Sequence, residues 1–432
     1  MVIHIVQPGD TIQSIADYYG VSPTRIIENN GLENPDHLVI GQSIVIAIPE
    51  LTYTVKEGDS LSEIADYFQV TVIQLLSNNP SLSNSEYIFP GDVIVIKYPT
   101  KGSITTHGNT VPYINRQTLR RTLPYLTYLS VLNYTATQEG EIITYYDDTE
   151  IIQAAKDYGV MPLMLLTTLT IQGRANLGVA FDLLLNPDFQ DAQIENILKI
   201  LKLKGYYGIN ISFEHISASN LYLYEEYFVK VSNRLGEEGF QLFVTITPNL
   251  TTIGEDVEFV RVNYSLLNHL ANNIIFMDYQ WAININPPSP ISSIYHIDVF
   301  INYIKEYIPS DKVIIGMPTI GYDWELPYSA GLSSVNSLTL TSAIDLARNV
   351  GAAIQFDDTS QTPFYTYTTI HNGVPVDHIV WFIDARSINA LLDLIYRYEL
   401  QGAGIGNLSI YNTQLWFVIY SQYEIAKVIL TP

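Results

Sequence analysis

The sequence predicts a (β/α)8 barrel with a small β-rich insertion between its seventh and eighth strands, preceded by two strand-helix-helix-strand modules. Three observations carry this prediction. The chain matches itself near its start at an offset of 49 residues. After residue 101, eight short apolar runs alternate with helical stretches. A Thr-, Tyr- and Phe-rich segment then interrupts the alternation before its last strand.

The repeat comes first in the chain. Val6-Gln-Pro-Gly9-Asp10-Thr11 recurs as Val55-Lys-Glu-Gly58-Asp59-Ser60, and Ile15-Ala16-Asp17-Tyr18 as Ile64-Ala65-Asp66-Tyr67. Asn29-Asn30 recurs as Asn78-Asn79; after one inserted residue, Gly41 and Val45-Ile46 match Gly91 and Val95-Ile96. In each copy a short strand (Ile3–Val6; Tyr53–Val55) runs into Gly-Asp, and Thr11 or Ser60 caps a helix. Ser60 with Glu63, and Thr71 with Gln74, have capping-box spacing. Ile12, Ile15, Ala16 and Tyr19 lie at helical spacing, and Gly20 stops that helix. Ser22-Pro23 opens a second helix. A last strand, Ser43–Ile48 or Val93–Tyr98, ends at proline. The modules are expected at 1–49 and 51–99.

The region 102–432 reads as one barrel. Candidate strands are Leu126–Asn133, Ile142–Tyr145, Met161–Leu166, Gly208–Glu214, Leu242–Thr247, Ile274–Tyr279, Val313–Met317 and Ala403–Leu408. Helical stretches are Glu150–Tyr158, Asp191–Lys204, Leu221–Gly239, Ser293–Ile308 and Ile388–Gln401. Several strands are continuously apolar, as parallel strands buried on both faces are. The insertion is expected at about 320–386. Within it, Ile354–Asp384 with the turn Asn372-Gly373 reads as a β subdomain walling a cleft.

Composition narrows the function. The net charge is −23, and no Lys/Arg run offers a basic face, so no nucleic-acid partner is expected. No apolar run approaches the ~18–20 residues of a membrane span, so no membrane insertion is expected. The start, Met1 to Asp10, has no positive charge and breaks at Pro8, unlike a Sec signal peptide. Cys is absent, which removes disulfides and thiol catalysis. The 8 His are scattered without ligand spacing, so neither metal nor cofactor is expected. Charged residues make up only 15% while Tyr numbers 32, a surface suited to sugar contact or to packing in a homo-oligomer or coat assembly.

The paired modules resemble LysM domains, which bind N-acetylglucosamine-containing glycans such as peptidoglycan and chitin. The resemblance implies a groove between Gly9-Asp10-Thr11-Ile12 and His37–Gly41. In the second copy it lies between Gly58-Asp59-Ser60-Leu61 and Ile88–Gly91. Two weak sites would gain avidity on a polymer.

Tyr207-Gly208-Ile209-Asn210-Ile211-Ser212-Phe213-Glu214 resembles the fourth-strand signature of glycoside hydrolase family 18. Met277-Asp278-Tyr279-Gln280-Trp281 resembles its sixth-strand motif, and Gly316-Met317 to Gly321-Tyr322-Asp323-Trp324 its seventh-strand end. Trp381 to Ser387, which contains Asp384 and Arg386, and the paired modules narrow the match to the spore-associated branch. The resemblance implies a substrate-assisted retaining N-acetylglucosaminidase. Glu214 would be the acid, Tyr279 would hold the acetyl oxygen, and Trp281, Trp324 and Asp323 would line the sugar site.

The family's assisting Asp is Ser212 here. Asn210 and Gln280 replace further Asp residues, and Ser409 stands where a Trp underlies the reactive sugar. Two readings follow. One is a spore-envelope peptidoglycan-binding protein with an impaired glycosidase barrel. The other is a non-catalytic structural or lectin-like coat component.

Overall fold

The structure is a computed structural model describing residues 1–84, 87–169, 177–213, 221–248, 250–253, 256–277, 288–291, 293–329 and 333–428. The first module comprises β1 (Val2–Ile5), α1 (Ile12–Tyr19), α2 (Pro23–Asn30) and β2 (Ser43–Ile46), with β1 antiparallel to β2. The second repeats this as β3 (Leu51–Thr54), α3 (Leu61–Phe68), α4 (Val72–Asn78) and β4 (Val93–Lys97). The capping boxes expected at Ser60 and Thr71 form, and Thr11 closes another with Ser14. Each module has its own core: Val6, Ile12, Ile15, Ile26, Ile44 and Ile46 in one; Val55, Ile64, Leu75, Leu76, Ile94 and Ile96 in the other.

Buried asparagines finish each module. Asn30 Nδ2 donates to the Ile26 and Val45 carbonyls, and its Oδ1 accepts from Val45 N–H. Asn79 makes the same bonds to Leu75 and Val95. One side chain thus satisfies backbone groups that the end of the helix and the strand would leave unpaired.

The barrel opens with β5 (Ser103–Thr110), α5 (Arg116–Thr122), β6 (Tyr128–Ala136), β7 (Ile142–Thr144), α6 (Thr149–Asp157) and β8 (Met161–Thr167). It continues through α7 (Leu177–Leu185), α8 (Pro187–Lys204), β9 (Gly208–Ser212), α9 (Leu221–Glu237) and β10 (Gln241–Ile246). After a hairpin of β11 (Leu250–Ile253) and β12 (Asp256–Phe259) come α10 (Ser265–Leu270), β13 (Asn273–Phe276), α11 (Ile294–Ile304) and β14 (Val313–Met317).

The insertion holds β15 (Gly321–Leu326), β16 (Val335–Leu338), α12 (Leu340–Val350), β17 (Gln355–Asp357), β18 (Thr362–His371) and β19 (Val374–Trp381). The chain ends with α13 (Ala385–Arg397), β20 (Gly402–Ile405), α14 (Thr413–Tyr420) and β21 (Glu424–Ile425).

Eight parallel strands close the barrel in the order β5-β6-β8-β9-β10-β13-β14-β20, with β20 returning to β5. The insertion is a five-stranded sheet, β16-β15-β19-β18-β17, between the seventh and eighth strands. The expected fold is therefore present, but two strand assignments change. The first barrel strand is Ser103–Thr110, which the apolar pattern passes over because its inward Thr105 and His107 are polar. Ile142–Tyr145, counted as a barrel strand from sequence, instead supplies β7, which pairs antiparallel with the end of β6.

Glycines let the last strands close tightly. A Cβ on Gly402 would lie 1.9 Å from the Thr105 carbonyl oxygen, and one on Gly404 3.3 Å from Met277 Sδ. Gly402-Ala-Gly404-Ile-Gly406 is thus a packing device.

Candidate active site

Alternation along parallel strands sets which side chains enter the barrel. At its base Tyr128, Met161, Leu163, Phe243, Ile275 and Ile314 form a separate apolar cluster inside the ring. Above them lies a polar chain. His107 Nε2 is 2.8 Å from Ser130 Oγ, Asn210 Nδ2 donates to Ser130 Oγ at 3.1 Å, and Thr245 Oγ1 donates to Asn210 Oδ1 at 2.9 Å. All four side chains are buried. Burial holds the His107 imidazole down to about 3, so it stays neutral across the ordinary pH range.

Ser212 ends β9 one inward step above Asn210 and is half-buried, level with Thr167 of β8. Asn210 thus belongs to the hydrogen-bonded interior and Ser212 to the mouth. The position where the family's charged partner is expected is Ser212, whose side chain carries a hydroxyl and no charge. Glu214, Tyr279, Gln280 and Trp281 lie outside the described residues. Met277, the last described residue before that sixth-strand segment, is buried, and its side chain runs past Gly404. Ser409 lies in an exposed turn beyond β20, where its N–H donates to Asn407 Oδ1.

The insertion residues are committed internally. Trp324 is wholly buried between Tyr322 and Tyr328, so it offers no open ring face for a sugar. Asp323 accepts from Tyr367 OH at 2.8 Å, and its other oxygen is 3.1 Å from His378 Nδ1. These bonds tie β15 to β18 and β19. Asp384 caps α13 and is paired with Arg386, whose Nη2 also donates to the Gly41 carbonyl.

Two aromatic residues escaped the sequence reading. Tyr113, just after β5, and Tyr146, just after β7, are exposed and meet edge to face at 5.3 Å beside a cleft also lined by Leu132 and Thr167. Recognising Tyr113 required recognising β5.

In the modules, Gly9 and Gly58 adopt φ of +92° and +88°, where a side chain would be strained. The next residue folds back on each turn. Asp10 accepts from Gln7 N–H at 2.6 Å and lies 3.0 Å from His4 Nε2. Asp59 accepts from Lys56 N–H at 2.7 Å and from Tyr53 OH at 2.8 Å. These backbone bonds, helped by His4 and Tyr53, hold both carboxyls below their usual range. Thr11 and Ser60 are helix caps, Ile12 is core, and Leu61 is half-buried.

Among the described residues no cluster of His, Asp or Glu could hold a metal, and no helix is long and apolar enough to cross a membrane.

The LysM domain family matches residues 4–47 and 53–97, and glycosyl hydrolases family 18 matches 164–409. The chain is 31% identical over 434 residues to the cortical fragment-lytic enzyme of Bacillus subtilis (strain 168), covering 99% of both chains. It is 29% identical to the putative sporulation-specific glycosylase YdhD of the same organism, covering 99% of this chain and 100% of that one. The crystal structure of the Bacillus megaterium QM B1551 spore cortex-lytic enzyme SleL superposes with a TM-score of 0.79 at 31% identity, covering 99% of each.

Proposed function

Because the chain belongs to glycosyl hydrolases family 18 and carries two LysM domains, we propose that it is a spore-envelope glycosidase. It would act on N-acetylglucosamine linkages of cortical peptidoglycan, with its charge-assisting position reduced to a hydroxyl. The observation that carries this reading is the end-to-end likeness to a cortical fragment-lytic enzyme, modules and barrel together. Names of relatives that refer to sporulation and spore cortex support a spore location.

The mechanism assigns each step to a residue of this chain. Glu214 protonates the leaving glycosidic oxygen, and the substrate's own N-acetyl oxygen closes on the anomeric carbon. Tyr279 donates to that acetyl oxygen. Ser212 supplies one neutral hydrogen bond to the amide. Losing one preorganised charged partner costs about 10²–10³ in rate. Gln280, also uncharged, does not restore it. Tyr113 and Tyr146 give a sugar ring an aromatic wall, and Trp281 is a further candidate for sugar contact.

Ser212 and Ser409 also favour a second reading, in which the cleft holds glycan without cleaving it. One experiment separates them. Purified protein is incubated with an aryl N-acetylglucosaminide and with spore cortical fragments, beside Glu214→Gln. Slow release abolished in the variant supports the enzyme. No release above background, with retained binding of fragments, supports the lectin-like reading. Brisk turnover of roughly 1–10³ s⁻¹ would overturn the impaired site.

A further inference from the structure

The two LysM copies match in sequence but not in surroundings. Leu38-Val39-Ile40-Gly41-Gln42 of the first aligns with Ile88-Phe89-Pro90-Gly91-Asp92 of the second. In both copies this loop is laid beside the Gly-Asp turn by the same backbone pair. Gly41 N–H donates to the Val6 carbonyl and Val6 N–H to Gln42; Gly91 N–H donates to Val55 and Val55 N–H to Asp92. The loops then meet different fates.

In the first copy the loop is consumed by the barrel's insertion. Val39 is buried in the insertion's own core with Ala343, Ala347, Ile354, Tyr365 and Phe382. Ile354 N–H donates to the Ile40 carbonyl, Arg348 Nε to the His37 carbonyl and Arg386 Nη2 to the Gly41 carbonyl. A Cβ on Gly41 would lie 1.9 Å from the Ile354 carbonyl oxygen. Three backbone carbonyls of this loop are already bonded to the insertion and to α13.

In the second copy the loop faces solvent. Phe89 is 66% exposed against 5% for its counterpart Val39. Gly91 has no neighbour within 4 Å of where a Cβ would stand, unlike its counterpart Gly41, while the turn glycines Gly9 and Gly58 are equally open. An open backbone edge flanked by an exposed aromatic ring suits the polar rim and apolar face of an N-acetyl sugar.

We propose that the two copies have divided roles. The second binds the N-acetylglucosamine polymer, and the first is a brace that fixes the insertion against the barrel. Polymer binding through the modules is then monovalent, without the avidity that two equal sites would supply. The proposal rests on the reading of these modules as glycan binders.

The test is co-sedimentation of the full chain with insoluble peptidoglycan, comparing Phe89→Ala, Phe89→Tyr and Ile40→Ala, with circular dichroism melts reporting folding. Both positions are exposed enough for the substitutions to leave the cores intact. Phe89→Ala should weaken binding at least about fivefold, as loss of an aromatic anchor does. Phe89→Tyr should restore it, and Ile40→Ala should stay within about twofold of the parent. Equal losses at the two positions, or a larger loss at Ile40, would overturn the division. If the parent chain itself fails to sediment, the glycan-binding reading fails and takes the division with it.

Discussion

Asn210 holds two strands' hydroxyls at once, donating to Ser130 and accepting from Thr245 inside the barrel. Truncating it to Ala leaves both buried hydroxyls short of a partner, at a cost of about 2–4 kcal/mol. Chemical denaturation of Asn210→Ala should show that loss as a lower midpoint. His107 adds a pH dependence. Its folded value of about 3 lies below the ordinary 6.5, so the unfolded chain binds the extra proton between those values. Stability from this group is fully present above pH 6.5 and is lost as pH falls toward 3, by up to ~1.4 kcal/mol per pH unit. His107→Gln should flatten that limb in melts taken between pH 4 and 7. At this scale sequence and structure agree on the type of residue but not its use. Asp323 and Trp324 stood in a motif resembling sugar-lining residues, yet one is tied to Tyr367 and His378 and the other is enclosed by tyrosines. Nothing in a one-dimensional motif tells a carboxylate facing a ligand from one facing a neighbouring strand.

Elements were legible where their signals are local. The capping spacings at Ser60 and Thr71, Pro23 at a helix start and Gly20 at a helix end all lie within a turn of what they specify, and all stand in the structure. Ser60→Ala should cost about 1 kcal/mol, and Asn79→Ala more, about 2–3 kcal/mol, because it strands a buried N–H and two carbonyls. Thermal melts of the two variants should rank in that order. Elements defined by the closed ring were not legible. Ser103–Thr110 is polar because it lines a hydrogen-bonded interior, and its strand identity depends on β20 and β6, far away in sequence. Helix α14 was also passed over. It is buried on every side, against both modules and the barrel, so its residues show no amphipathic period.

The whole molecule is one interlocked body in which modules, barrel and insertion share side chains. Val45 and Val95 from the two modules enter the barrel's main core, and Tyr98 packs edgewise on Phe417. Gln414 of α14 donates to the Ser43 carbonyl and accepts from Ala385 N–H. Arg386 joins the buried Asp384 to the first module, so Arg386→Ala leaves that carboxylate without its cation, at about 3 kcal/mol. The full chain should melt lower in this variant, and chymotrypsin should cut after Leu38 in the His37–Gly41 loop sooner than in the parent.

The pairing of Thr105 with Gly402, and the burial of Val39 among residues of the insertion, also set a timetable for biosynthesis. At about 5–20 residues per second, a ribosome needs on the order of tens of seconds after releasing β5 before β20 emerges to close the ring. Through that interval the second module can already hold its own core and exposed loop, with Val95 and Tyr98 still waiting for the barrel. The first must wait with Val39 uncovered, and β5 must wait with an open edge. The nascent chain is therefore most prone to mispairing at the first module and β5, which are made before the segments that cover them.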